Sequence, residues 1–246
     1  MDGSVSINKT SMQTQLISRL FKIVFTISAI TSCSSSEIGE SKDVAQDKIY
    51  QDYSVSYKEG DQNVEVFCQF RFAGDKGTTL VLSAPSSVKM DGNTLRVDST
   101  TISGAFYSCV TPYADFTGSH EFIFTDYTKK TYSNRFVLHP LKIADYPTYV
   151  SKDKDIDIRF ETSTLGSDDY IELGSYGTDS GFTLTYRPIE KDNIITIPAS
   201  ELKRQPKSEL KMMARLYRKI PLQQSALEGG EIRTTYSAKP LILMLQ

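Results

Sequence analysis

The chain has 246 residues, of which 39% are hydrophobic, and its formal net charge is -2 at pH 7. This hydrophobic fraction is typical of a globular protein and excludes an intrinsically disordered chain. The slight excess of acidic residues argues against nucleic acid as a general partner, because phosphate binding requires clustered positive charge. No nucleic-acid partner is therefore predicted.

A short apolar run near the amino terminus has the features of a secretory leader. Arg19 and Lys22 flank an almost entirely apolar stretch over residues 23–30. A helix over residues 20–32 would be about 20 Å long at 1.5 Å per residue, too short to cross a hydrocarbon core of about 30 Å. A short apolar core behind basic residues and ahead of small residues is instead the pattern of a signal peptide.

The leader ends in the sequence ITSC, which places Cys33 after Ser32. This ending resembles the lipobox of bacterial lipoproteins, with Ile and Thr where Leu and Ala are usual. The resemblance implies that residues 1–32 are removed and that the Cys33 sulfur carries a diacylglycerol. An ordinary secreted protein, or an apolar anchor with no special role for the cysteine, is the alternative. The start of the leader is open between Met1 and Met12.

Residues 33–48 are rich in serine and acidic side chains and are predicted to form a disordered tether. A run of this kind behind a lipidated cysteine resembles a surface-export signal of Bacteroidota lipoproteins, and a plain solvated linker is the alternative. No later stretch approaches about 18 unbroken apolar residues, so the lipid is the predicted membrane contact. The predicted location is the cell envelope, at the outer membrane, facing either the periplasm or the exterior.

Residues 49–140 show the two-residue alternation of half-buried strands, most clearly at residues 53–57. The sequence DGN at residues 91–93 predicts a hairpin, because glycine accepts a positive φ. About seven short strands separated by turns resemble an immunoglobulin-like sandwich. The chain has no Trp, and Cys109 lies one strand early for the usual bridge of that family, so the resemblance concerns the architecture alone.

Prolines at 140 and 147 predict a domain boundary, because proline ends strands. Alternation then resumes over residues 141–246, which predicts a second sandwich of similar size. The run IITIPASEL at residues 194–202 resembles C-terminal β domains of Bacteroidota cell-envelope lipoproteins. The predicted fold is therefore all-β, with two tandem immunoglobulin-like β-sandwich domains at residues 49–140 and 141–246.

Cys68 and Cys109 remain once Cys33 is assigned to the lipid. They could pair in an oxidising compartment. The alternation of residues 64–72 places Cys68 on the inward face, whereas the run around Cys109 is apolar on both faces. A disulfide and two buried free thiols are both consistent with the sequence, because buried cysteine is a common small hydrophobic residue.

No catalytic or metal-binding motif stands out. Asp153, Asp155 and Asp157 have the spacing of a calcium loop, but other residues occupy the positions that require glycine and glutamate. His120 and His139 are the only histidines, and neither belongs to a triad or zinc motif. No metal, cofactor or enzymatic activity is therefore predicted.

The sharpest charge feature is a basic segment near the carboxyl terminus. The candidate anionic-ligand patch consists of Lys203, Arg204, Lys207, Lys211, Arg215 and Arg218. Cations aligned on one face of a strand could bind phosphate or carboxylate groups. The alternative is that long basic side chains protect an exposed strand from aggregation.

Tyrosine is plentiful, and four residues, Tyr107, Tyr113, Tyr127 and Tyr176, are candidates for stacking on sugars. Ordinary strand and sheet-rim positions are the alternative.

The sequence predicts a lipid-anchored binding or scaffold protein of the cell envelope without catalytic activity, with an envelope protein or a glycan as partner. An accessory glycan-binding component of a polysaccharide uptake or degradation system, and an adhesin or pilus-type assembly component, are the alternative predictions.

Overall fold

The computed structural model describes residues 38–176, 181–186, 193–206 and 208–246. Within these ranges strands dominate, and the helical elements are one short α-helix and three 3-10 turns. The prediction of an all-β fold is confirmed. All described residues belong to one compact unit, and the division into two domains at residue 140 stays a prediction.

The helix is α1 (Ala199–Lys203). The strands, in chain order, are β1 (Ile38–Glu40), β2 (Ile49–Lys58), β3 (Asn63–Phe72), β4 (Thr78–Val81), β5 (Ser87–Met90), β6 (Asn93–Thr94), β7 (Arg96–Thr100), β8 (Gly104–Pro112), β9 (Ser119–Thr125), β10 (Thr131–Val137), β11 (Lys142–Asp145), β12 (Tyr149–Val150), β13 (Ile156–Glu161), β14 (Tyr170–Tyr176), β15 (Thr183–Tyr186), β16 (Ile194–Ile197), β17 (Glu209–Pro221), β18 (Gly230–Ser237) and β19 (Leu241–Leu245).

Twelve strands form a central sheet, whose main path is β1-β4-β3-β2-β18-β17-β14-β15. Strand β8 pairs with β3 and β7, and β19 pairs with β17 and β12. The middle of the sheet is a parallel pairing of β2 with β18, in which Tyr53 lies beside Ile232. This parallel junction joins strands from the two halves that the sequence assigns to separate sandwiches.

Glycine is required where the parallel junction begins. Gly230 has a φ of 151°, and a Cβ at this position would collide with the carbonyl oxygen of Gln51 on β2. The absence of a side chain therefore lets the two backbones approach to pairing distance. The sequence Gly229-Gly230 is thus the local feature that permits the junction.

Two smaller sheets cover the buried side of the structure. The first has the order β10-β9-β5-β6, and its Phe122 and Phe124 stack on Tyr53 and Phe70 of the central sheet with ring centroids 4.5 Å apart in each pair. The second has the order β11-β13-β16, and its apolar residues belong to the same hydrophobic cluster as Ile171 of β14. Burial of these faces supplies the main favourable free energy of folding.

Alternation of burial along the strands follows the pattern of the sequence. In β2 the side chains of Tyr53, Val55 and Tyr57 are buried, while the residues between them are partly exposed. The predicted hairpin is also present, since β5 pairs with β6 and both Asp91 and Gly92 have positive φ. A two-residue turn with positive φ matches the twist of the two strands.

Residues 38–48, which the sequence assigns to a disordered tether, contain a strand and two 3-10 turns. Strand β1 pairs in parallel with β4, and Ser41 is fully buried. The backbone N–H of Ser83 donates to Ser41 Oγ at 2.9 Å, and Gln46 Nε2 donates to the Ser41 carbonyl at 2.6 Å. Hydrogen bonds to distant residues order this polar segment, and composition alone does not reveal them. Residues 33–37 of the predicted tether lie outside the described residues.

Replacement of Ile232 by alanine tests the parallel junction. The side chain is fully buried beside Tyr53, so we expect Ile232→Ala to lower the free energy of unfolding by about 2–5 kcal/mol. Urea unfolding followed by circular dichroism should show one cooperative transition, because both halves share the sheet. Ile242→Ala, at a side chain that is 43% exposed, is the control and should cost much less. Two separate transitions in the wild type would instead support two independent domains.

Candidate functional site

The unburied side of the central sheet, here called the outer face, presents the polar side chains of the long strands. In β17, four buried residues, Leu210, Met212, Ala214 and Leu216, alternate with Lys211, Met213, Arg215 and Tyr217. Successive side chains of a strand point to opposite faces, so the second set lies on the outer face. The outer face therefore combines charged and aromatic side chains that the core does not use.

A groove of about 440 Å³ crosses the outer face above the parallel junction. Its size is within the range of about 300–1,000 Å³ that is usual for small-molecule sites. Most of its lining residues belong to two adjacent cross-strand rows. The first row is Phe67, Ser54, Arg233 and Lys219, and the second is Ser56, Thr235, Tyr217 and Tyr170.

Short hydroxyl side chains make the floor of the groove, and aromatic rings stand at its sides. Ser54 and Thr235 lie on β2 and β18, the strands of the parallel junction. Phe67 on β3 and Tyr217 on β17 are three strand spacings apart, which corresponds to about 14 Å across the sheet. A ligand in the groove would therefore meet a ring at each side and hydroxyl groups beneath it.

Neighbouring rings hold both aromatic sides in place. Tyr217 stacks on Tyr170 of β14, with ring centroids 4.7 Å apart and planes inclined by 19°. Phe67 stacks on Phe106 of β8, with centroids 4.9 Å apart. Partial burial raises the pKa of the Tyr217 hydroxyl, so the ring is neutral at physiological pH. The stacked partners restrict the rotation of the two side chains that face the groove.

The cations of the groove already have carboxylate partners. Arg233 Nη2 donates to both carboxylate oxygens of Asp52, at 2.6 and 2.8 Å, and its Nε lies 3.4 Å from Glu231. Lys219 also pairs with Glu231. Burial raises the pKa of the Asp52 carboxyl, and the Arg233 guanidinium opposes that shift. Arg218 also borders the groove and pairs with Asp169, and Asp168 is a further carboxylate of the lining. All three cations therefore have carboxylate partners, and the groove carries little net charge.

The predicted basic patch is not gathered at one place. Its described members pair with separate carboxylates, namely Lys203 with Asp153, Arg204 with Glu201, Lys211 with Glu209, Arg215 with Glu172 and Arg218 with Asp169. Lys211 and Arg215 lie on the outer face, whereas Arg218 alternates with them and points to the opposite side. Lys207 lies outside the described residues. Anion binding by this segment stays a prediction.

Arg218 and Asp169 form a buried ion pair that positions one end of the groove. Arg218 Nε donates to Asp169 Oδ2 at 2.9 Å, and their side chains are 13% and 5% exposed. The backbone N–H of Gly166 donates to the same carboxylate, and Arg218 Nη1 donates to Ser163 Oγ at 2.6 Å. The pair therefore fixes the loop before β14 and, with it, the adjacent Tyr170 of the groove.

The two described cysteines are free thiols. Cys68 is fully buried on β3 opposite Tyr107, and Cys109 is half-buried on β8 opposite Val66. The cysteines are thus diagonal neighbours on paired strands, a relation that usually separates residues by about 7–8 Å and exceeds the Cα spacing of most disulfides. Burial raises the pKa of both thiols, so they are protonated at neutral pH.

Neither histidine is among the residues that line the groove. His120 is buried, stacks on Phe116 with centroids 3.7 Å apart, and has Nδ1 2.7 Å from Asp91 Oδ2. Its Nε2 atom is buried without a hydrogen-bond partner among the described residues. His139 is half-buried, and burial together with the nearby Arg218 lowers its pKa.

The three aspartates with calcium-loop spacing are held in separate local contacts. Asp153 pairs with Lys203 at 3.0 Å, Asp155 accepts a hydrogen bond from the backbone N–H of Ala199, and Asp157 accepts one from Thr196. In the part of the chain that the structure describes, no group of three or more His, Cys, Asp or Glu side chains is arranged to hold a metal ion. These aspartates therefore stabilise strand β13 and helix α1 locally.

The tyrosines singled out from the sequence do not line the groove. Tyr107 is 4% exposed, and its hydroxyl accepts a hydrogen bond from the backbone N–H of Leu82. Tyr113, Tyr127 and Tyr176 are exposed, and Tyr113 stacks on Tyr57. The groove instead uses Tyr170 and Tyr217, which meet only because β14 pairs with β17. This pairing is not visible in the sequence, because it joins two strands that are separated along the chain.

Among the residues with a described position, no helix is both long enough and apolar enough to cross a membrane. Comparison of the chain with protein-family models finds no match, and comparison with curated proteins also finds none.

Replacement of Asp169 by asparagine tests the buried pair. The change leaves Arg218 buried without its counter-charge, so we expect the free energy of unfolding to fall by about 3–5 kcal/mol. Glu172→Gln is the matched control, because it breaks the exposed pair with Arg215 and should cost less than about 1 kcal/mol. Urea unfolding of both variants measures the difference. Equal, small effects would show that the buried pair does not hold the loop.

Counting of thiols tests the state of the cysteines. In a chain carrying Cys33→Ser, we expect two reactive thiols after unfolding in guanidinium chloride without reductant. In the folded protein at pH 7, Cys68 should not react with a thiol reagent and Cys109 should react slowly, because the raised pKa keeps each thiol protonated. Cys109→Ser should leave one thiol. A count of zero before reduction and two after it would instead establish a disulfide.

Proposed function

We propose that this chain is a lipid-anchored binding protein of the bacterial cell envelope, without catalytic activity of its own, and that it holds its ligand in the groove. The observation that carries the proposal is the groove itself, a concave site between Phe67 and Tyr217 with Ser54 and Thr235 beneath. Concave sites with aromatic sides and a few polar groups are typical of ligand binding.

The leader supports the location. The ITSC sequence that ends at Cys33 resembles a lipobox, and a diacylglycerol on this cysteine would supply two acyl chains. Two acyl chains hold a protein stably on a bilayer, whereas one does so only marginally. The described residues begin at Ile38, and five residue steps from Cys33 to Ile38 span at most about 18 Å. The proposed anchor would therefore keep the folded body close to the bilayer surface.

The chemistry of the groove supports binding without catalysis. Among the described residues, those lining the groove include neither histidine nor cysteine. The cations Lys219 and Arg233 are engaged by carboxylates. Asp168 is a carboxylate of the lining, and among the described residues no hydrogen bond joins it to the hydroxyl of Ser54 or Thr235. Nucleophilic catalysis needs a nucleophile within hydrogen-bond reach of a base. We therefore assign a holding role to these groups.

Replacement of Cys33 by serine tests the anchor. In a bacterium with lipoprotein-processing enzymes, we expect the wild type in the membrane fraction and Cys33→Ser largely in the soluble fraction, because the variant has no sulfur to acylate. Cys109→Ser is the control and should remain with the membrane, since Cys109 lies within β8. Mass spectrometry of the wild type should show a lipid-modified residue 33 at the mature terminus. Membrane retention of Cys33→Ser at the wild-type level would overturn the anchor.

A further inference from the structure

The charge balance of the groove limits the kind of ligand it can hold. Of the three cations that line the groove, Arg233 and Lys219 are compensated by Asp52 and Glu231, and Arg218 is compensated by Asp169. Asp168 is the carboxylate of the lining itself. An anionic ligand would meet these carboxylates, and a cationic ligand would meet the guanidinium and ammonium groups. Neither sign of charge is therefore favoured, and the groove is suited to a neutral ligand.

The polar groups of the groove nevertheless offer donors and acceptors side by side. Ser54 and Thr235 supply hydroxyls that can donate or accept, and Arg233 supplies N–H donors. Asp52 is not a lining residue, but it lies against Arg233 and supplies carboxylate acceptors beside the groove. The Arg233–Asp52 pair lies across the parallel junction, so both partners are held in place by strand register. A ligand with several neutral hydroxyls would match this alternation of donors and acceptors.

The aromatic sides add an apolar component at a defined spacing. Phe67 and Tyr217 are about 14 Å apart across the sheet and are each backed by a stacked ring. Rings held in this way offer flat apolar surface at low cost in conformational entropy, because their rotation is already restricted. A ligand that is polar at its edges and apolar on its faces would use both kinds of contact.

We infer that the groove binds a neutral saccharide, with the C–H faces of sugar rings against Phe67 and Tyr217 and the sugar hydroxyls on Ser54, Thr235 and the Arg233–Asp52 pair. This inference rests on the proposed function, since it names the ligand class of the same groove. Sugar rings combine apolar faces with hydroxyl edges, which is the combination that the groove presents. The tyrosines chosen from the sequence have no part in this site.

Binding to oligosaccharides tests the inference. The mature chain, residues 33–246 with Cys33→Ser, is applied to an array of neutral gluco-, galacto- and manno-oligosaccharides together with uronate-containing and sulfated oligosaccharides. We expect saturable binding to at least one neutral oligosaccharide, and titration calorimetry should give an affinity that changes little between low and high NaCl, because no charge pairing is screened.

Variants locate the binding in the groove. Tyr217→Ala and Phe67→Ala should each weaken binding by about tenfold or more, because each removes a stacking surface. Tyr217→Phe should stay within about threefold of the wild type, since the ring remains. Tyr127→Ala removes an exposed ring outside the groove and should have no effect. Thr235→Trp places a large side chain on the floor of the groove and leaves the core residues unchanged. It should therefore abolish binding. This variant still tests the site if one of the alanine variants is unstable.

The outcomes separate the inference from the proposed function. Binding of acidic oligosaccharides alone, with an affinity that falls steeply as NaCl rises, would overturn the neutral class. Binding that survives Phe67→Ala and Tyr217→Ala in folded variants would overturn the placement in the groove. Absence of any oligosaccharide binding by a folded, membrane-anchored protein would overturn the saccharide inference alone, whereas release of the wild type from membranes would overturn the anchor alone.

Discussion

The parallel pairing of β2 with β18 is the interaction on which the rest of the structure depends. It extends over the register from Gln51 beside Gly230 to Lys58 beside Ser237. The hydrogen bonds of this pairing join strands that are about 180 residues apart in the chain. Because the two strands lie in the middle of the sheet, the buried faces on either side form one hydrophobic cluster. A sandwich built from each half separately would leave both of these strands as exposed edges.

The groove is a direct consequence of that pairing. Ser54 and Arg233 become neighbours across the junction, and the Arg233–Asp52 pair links β18 to β2. Short hydroxyl side chains at the junction leave a depression between rings carried by β3 and β17. The buried Arg218–Asp169 pair has a supporting role on the other side of β17, because it fixes the loop that leads into Tyr170. Register and side-chain size together therefore set the shape of the site.

The segment that begins at Ile38 connects the proposed location with the proposed site. Hydrogen bonds around Ser41 and Gln46 hold the segment after Ile38 against the body of the protein. A lipid on Cys33 would then have only a short length of chain between the bilayer and the first strand. A rigid body held near a membrane surface is suited to presenting or retaining a ligand there. The rigidity comes from polar contacts that composition does not disclose.

The sequence by itself determined the local features. Alternation of residues 53–57 defined a half-buried strand, and glycine at position 92 defined a hairpin. These features depend on side-chain periodicity and on φ, both of which are local. The parallel junction, the free thiols, the ion pairs of the basic segment and the groove were decided only by tertiary structure. Each of them depends on which distant strand pairs with which, in what register, and no local periodicity encodes that choice.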